Sequence, residues 1–165
     1  MKTLLLVRHA KSSWDRSHLS DIERPLNGRG KRDIPKMAEF IKGIIDTPQV
    51  FISSPAVRAY STAIGFANVF NINEKEIARN SGLYHGSKPT WVKLISELDI
   101  NINSVIMFGH NPGITDFVNK MTNSNIYNIP TCGVAGIKLN INSWSDIASN
   151  SGKLEFYHFP KGIDS

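Results

Sequence analysis

Short apolar runs alternate along the chain with longer stretches in which apolar positions recur every three to four residues. The runs TLLLVRH (3–9), VFISS (50–54) and SVIMFGH (104–110) are nearly continuous in apolar residues, the pattern of strands covered on both faces. EIARN (76–80), GVAGIKLNI (133–141) and KLEFYHF (153–159) predict three more strands. Helices are predicted between them over 28–45, 55–70, 88–98 and 112–122. In the first, Ile34, Met37, Ala38, Ile41 and Ile45 share one face, while Pro35 predicts a kink or a late start. The stretch NSWSDIASNSG before the last strand is expected to be a long hairpin connection with Trp144 as a packing anchor. Alternating strands and helices of these lengths define a layered α/β protein, a single domain over 1–165.

Composition leaves that picture intact. With 41% hydrophobic and 20% charged residues, the chain has ordinary globular usage and length enough for one core. No apolar run approaches the ~18 residues of a membrane span, and the first strand is too short and too soon charged for a signal peptide. A cytoplasmic protein with no membrane association is expected. Cys132, the only cysteine, excludes an internal disulfide and reads as a small core residue.

Charge changes the picture more. Residues 1–36 hold nine Lys or Arg against four Asp or Glu, and the rest of the chain holds ten of each sign. The whole surplus of +5 therefore surrounds the first strand and its following loop, where it would attract an anion. Nucleic acid is not expected, because no basic face is interleaved with aromatics.

Ligands of open α/β sheets sit beyond the carboxyl ends of the strands. The first strand ends in Arg8 and His9. SSPAVR follows the second, with Ser54 and Pro55 fitting N-cap and N1 positions ahead of Arg58. GHNPG follows the fourth, with His110 ahead of Asn111 as cap and Pro112 as N1. Two arginines and two histidines suit a phosphoryl group, whose charge is spread over three oxygens, and a histidine in line with the phosphorus can attack it. No carboxylate stands at a ligand-like spacing beside either histidine, so neither metal nor cofactor is expected.

These segments resemble the histidine phosphatase superfamily, the group that includes phosphoglycerate mutases and acid phosphatases. RHAKSSW is similar to its RHG signature, RPLNGRG to the substrate-side loop, SSPAVRA to the second-arginine motif and FGHNPG to the second-histidine motif, nearly end to end. The small size, the RPLN…RG and IPTCGV segments, the GHNPG turn and the W…F…P ending look most like the SixA-type phosphohistidine phosphatases. The resemblance implies a three-layer α/β/α sandwich with a mostly parallel central sheet, phosphoglycerate mutase-like. It also implies that His9 is the nucleophile, that Arg8, Arg58 and a cationic His110 bind the phosphoryl oxygens, and that water completes the hydrolysis.

Three residues depart from that pattern. Ala10 replaces a glycine, which requires a backbone without positive φ. Lys11 adds positive charge at the mouth, and Asp15 stands where mutases carry a phosphate-touching asparagine. Mutases also carry a glutamate after the third strand to protonate the leaving oxygen, whereas NSGLYHGS holds no carboxylate. Asp15, Asp21 and Glu23 are the remaining candidate acids, the last two equally able to pair with Arg16 or Arg24. Asp15, Arg24 and His85 are candidate substrate contacts. The missing acid favours phosphohistidine, whose imidazole leaves readily, and a shallow basic site would admit a phosphorylated protein. A small phosphomonoester and a non-catalytic phosphate-binding module are the alternative readings, and mutase activity is not expected.

Overall fold

A computed structural model describes residues 1–149 and 151–164. Strands β1 (Lys2–Arg8), β2 (Val50–Ser53), β3 (Ile77–Arg79), β4 (Ser104–Gly109), β5 (Val134–Leu139) and β6 (Gly152–His158) form one sheet, in the order β3-β2-β4-β1-β5-β6. β3, β2, β4 and β1 pair in parallel, and β5 alone runs against its neighbours. All six strands lie within two residues of the predicted spans.

Side chains of β1 alternate between two cores, as the pleat dictates. Leu4 and Leu6 join Trp91, Ile95, Ile114, Phe117 and Val118 on one face, whereas Leu5 and Val7 join Ile34, Met37, Ile41, Ala63 and Phe66 on the other. The first core is closed by α4 (Lys88–Ser96) and α5 (Gly113–Thr122), and the second by α1 (Gly28–Lys42) and α2 (Val57–Val69). Three layers result, in agreement with the expected architecture. Two one-turn helices were not predicted, α3 (Gly82–His85) and α6 (Pro160–Ile163).

Pro35 does not delay α1, which begins seven residues earlier at Gly28 with Asn27 Oδ1 accepting the Gly30 N–H at 2.8 Å. The proline sits on the exposed side, and the carbonyl it leaves unpaired belongs to exposed Lys31. Trp144 is fully buried and donates Nε1–H to the Ile102 carbonyl at 2.8 Å, the anchor role expected of it. β5 and β6 pair antiparallel as a hairpin, although Asn150 of its connection lies outside the described residues. No helix among the described residues is long and apolar enough to cross a membrane.

Candidate active site

Strand register brings the two histidines together. In the β1–β4 pairing Arg8 lies opposite Gly109, so the next residues, His9 and His110, leave the sheet side by side. The His9 N–H donates to the Gly109 carbonyl at 3.1 Å, and the two ring centroids are 5.2 Å apart. β2 adds Ser54, whose N–H donates to Phe108 and whose Oγ lies 2.8 Å from His110 Nε2. Arg58, in the first turn of α2, is only 5% exposed.

The predicted caps are corrected here. α2 starts at Val57 with Ala56 as N-cap, because Ser54 is committed to His110 while its Oγ also accepts the Ala56 N–H at 3.2 Å. α5 starts at Gly113 with Pro112 at the cap. Asn111 instead ties down the 128–129 loop, donating to Asn128 Oδ1 and the Ile129 carbonyl while accepting from Thr115.

The IPTCGV segment cradles Arg8. Its Nη1 donates to the Ile129 carbonyl at 2.9 Å, and the Cys132 N–H, on a backbone with φ of 61°, donates to the carbonyls of Arg8 and His9. Burial pushes the Cys132 thiol far up its scale, so this cysteine packs and does not react. Ala10 is absent from the positive-φ residues, so its side chain is accommodated, and its N–H donates to Thr62 Oγ1, which donates to the Arg58 carbonyl. Gly30 closes the other side: a Cβ there would lie 2.2 Å from the Lys11 carbonyl.

The loop after β1 folds back onto RPLN through a Ser12–Leu26 bridge. Arg24 donates to Ser12 Oγ and Asp21 Oδ1 and lies 3.5 Å from the centroid of the exposed Trp14 ring. Asp21, a candidate acid able to pair with Arg24, forms that pair and also binds Arg58 and Tyr84. Its backbone carbonyl accepts from Arg58 Nη1 at 2.7 Å, and its Oδ2 accepts from Arg58 Nη2 at 3.0 Å and Tyr84 Oη at 2.6 Å. Tyr84 rises from α3, directly after β3, with its ring edge-on to His110. Asp15 is exposed and its carboxylate contacts no described residue, and Glu23 is spent on Ser20 in a capping box. His85 is exposed and leans on the Tyr84 ring.

Electrostatics prepare one nitrogen for attack. His9 Nδ1 lies 2.8 Å from the Ala10 carbonyl, an acceptor only, so Nδ1 carries the proton and Nε2 keeps its lone pair. Burial, reinforced by Arg58, Arg8 and Arg24, lowers the His9 pKa to about 4 against an opposing pull from the Ala10 bond. Burial, His9 and Arg58 likewise lower His110 to about 3, against Asp21, which raises it. Burial thus favours the neutral form of His110, whereas the phosphoryl oxygens in whose company a cation is expected would favour the charged one. Ser54 is fully buried and its hydroxyl meets no other acceptor among the described residues, so its hydrogen goes to His110 Nε2 and the imidazole proton stands on Nδ1. Hydrogen bonds from Tyr84 and Arg58 hold the Asp21 carboxyl far below the usual range, so it is ionised. Burial and Arg58 pull Arg8 down as well, but not out of its cationic form.

Among the described residues of these strand ends, three buried nitrogens lack a partner: Arg8 Nε, Arg58 Nε and His110 Nδ1. Such orphan donors beside a neutral imidazole mark the seat of an oxyanion. The sequence pairs Asp21 with Arg24 and makes Ser54 a cap, and the further partners Arg58, Tyr84 and His110 reach them only through the fold. The position of Tyr84 in NSGLYHGS was the available signal.

A mostly parallel α/β sheet thus carries two histidines and two arginines at its strand ends, with unpaired nitrogens among them. Residues 4–84 match the histidine phosphatase superfamily, branch 1, and the chain belongs to that superfamily. It is 31% identical over 161 residues to an uncharacterized chloroplastic protein of Arabidopsis thaliana, covering 92% of this chain and 72% of the relative. The fold is similar to that of the protein assigned as phosphohistidine phosphatase SixA in Agrobacterium tumefaciens, with TM-score 0.80, 23% identity and coverage of 96% and 98% of the two chains. It is also similar to the protein histidine phosphatase SixA solved with tungstate, with TM-score 0.78, 20% identity and coverage of 98% and 99%.

Proposed function

We propose that the protein is a phosphatase that works through a phosphohistidine on His9 and acts on phosphohistidine in a protein. The observation that carries this reading is the pairing of a neutral His9 Nε2 with the three orphan donors of Arg8, Arg58 and His110. The likeness to a protein histidine phosphatase that takes up tungstate, a tetrahedral oxyanion, supports it.

In the first step the Nε2 lone pair forms a P–N bond while the bond from phosphorus to the leaving imidazole breaks. The departing nitrogen keeps the electron pair and takes its proton from solvent water at the mouth of the site. Arg8, Arg58 and His110 Nδ1–H hold the equatorial oxygens as charge redistributes. Water then forms a P–O bond as the P–Nε2 bond breaks, giving inorganic phosphate and the resting imidazole.

Substrate choice follows from proton supply. The one carboxyl held between Arg58 and Tyr84 is Asp21, and it has no proton to give. Tyr84 Oη is committed to that carboxylate. An alkoxide leaving group would depart unassisted, whereas an imidazole needs little help.

The test is a substrate panel of a phosphohistidine protein, p-nitrophenyl phosphate and sugar phosphates, run beside 32P labelling of the enzyme. The reading expects turnover of phosphohistidine well above the alkyl phosphates and an acid-labile label on His9. Preference for alkyl phosphates would move the function to small phosphomonoesters, and phosphate binding without any label would make it a non-catalytic module.

A further inference from the structure

Beyond His110 the site opens into a groove that phosphoryl transfer leaves unused. A cavity of about 710 Å³ runs between the α3–α4 turn and the start of α5, from His110 and His85 at one end to Lys88, Asp116 and Lys120 at the other. A second hollow of about 400 Å³ continues it, sharing Lys88, Pro89 and Lys120 and adding Lys93. Joined, they are large enough for several residues of polypeptide.

Local sequence builds this groove. A Cβ on Gly86 would lie 1.8 Å from the Gly82 carbonyl, and one on Gly113 would lie 3.2 Å from the Gly86 carbonyl, so glycines let the turn lie close against α5. Trp91, 1% exposed, forms the floor, and its Nε1–H has no acceptor.

Charge along the groove is one-sided. Lys88, Lys93 and Lys120 form no ion pair or side-chain hydrogen bond among the described residues, while the ion pairs of the molecule lie elsewhere. Asp116 is the single acid lining it. In the second hollow Pro89, Val92 and Met121 stand among the lysines, and its lining holds no aromatic ring on which a nucleic-acid base would stack, the rings of the groove lying at the His110 end.

We propose that this groove binds the polypeptide flanking the phosphorylated side chain and selects a flank rich in Asp and Glu. The proposal rests on the protein-phosphatase reading and extends it to the partner's surface. The lysines lie beyond the reacting atoms, so they act on encounter and KM, with a strong salt dependence.

The test uses matched peptides carrying phosphohistidine or phosphoserine, each with a Glu-rich or a Gln-rich flank. Wild-type protein is expected to prefer the Glu-rich flank in kcat/KM by roughly 10-fold at low salt, and to lose the preference at high salt. The triple variant K88E/K93E/K120E is expected to invert the preference while hydrolysing p-nitrophenyl phosphate at the wild-type rate. Anisotropy of the same peptides on His9→Ala protein reads the flank preference without turnover. Equal use and equal binding of both flanks would overturn the groove, as would a single-stranded oligonucleotide that competes as well as the acidic peptide. Turnover of phosphoserine but not phosphohistidine, with the flank preference intact, would instead overturn the substrate reading and leave the groove standing.

Discussion

Two cations, the buried Lys2 and the half-buried Arg8, stand at opposite ends of β1 and have opposite hydrogen-bond inventories. Lys2, 2% exposed, gives its ammonium donors to the carbonyls of Ile100 and Ile102 and to Asn103 Oδ1, at 2.6, 2.8 and 2.9 Å, beside the Trp144 ring. All three N–H donors are spent. Arg8 at the other end keeps Nε unpaired, and so does Arg58 beside it. A buried charge with every donor satisfied by the protein holds the fold together, whereas one with donors left over is waiting for an anion. The sheet thus has one closed pole and one open pole.

The sharpest break of this contrast is His9→Ala, which removes the proposed nucleophile at the open pole. A loss of kcat of at least ~10³-fold is expected, together with loss of the acid-labile 32P label. Next in size is Asp21→Asn, which keeps the backbone bond to Arg58 but removes the charge that orients its fork. A fall in kcat of roughly 10-fold is expected in steady-state assays, with the far-UV spectrum unchanged.

Stability separates the poles most directly. Phosphate at ~100 times its Kd is expected to add about 2.7 kcal/mol to the native state, roughly 5–10 °C in a thermal scan. Arg8→Ala should lose most of that increment. Lys2→Met should keep it while melting lower by itself, by about 2 kcal/mol, because three carbonyl or amide oxygens lose a charged donor.

The smallest expected effect concerns pH. His9 and His110 have folded pKa values of about 4 and about 3, both below 6.5. Between those values and 6.5 the unfolded chain binds more protons, so their contribution to stability is full above pH 6.5 and is lost as pH falls through about 4 and about 3. The acid limb of kcat/KM from His9 should accordingly lie near pH 4, and NMR titration of its ring nitrogens should give the same midpoint.

Strands covered on both faces were legible in the sequence because β1, β2 and β4 are nearly continuous apolar runs. Arg8, His9, Arg58 and His110 could be named from their places at strand ends, and the structure brings all four together. What escaped was anything decided by partners distant in the chain. Asp21 is one carboxylate among several in its loop until Arg58 and Tyr84 close on it, 37 and 63 residues away. The pull that lowers the His110 pKa is hidden from the sequence for the same reason, since burial against His9 and Arg58 exists only in the folded chain. Ser54 fits a cap by local rules, and a contact 56 residues distant overrides them.

The backbone bond from His9 to Gly109 carries a meaning for folding fidelity. The apolar pattern of β1 and β4 would survive a slip of two residues, since each side chain would still enter its own core. Such a slip would set His110 beside Val7 or Lys11, about 7 Å out of step with its partner. Turnover is therefore a gauge of alignment: refolded protein with native-like helicity and no activity is what a misregistered sheet would look like.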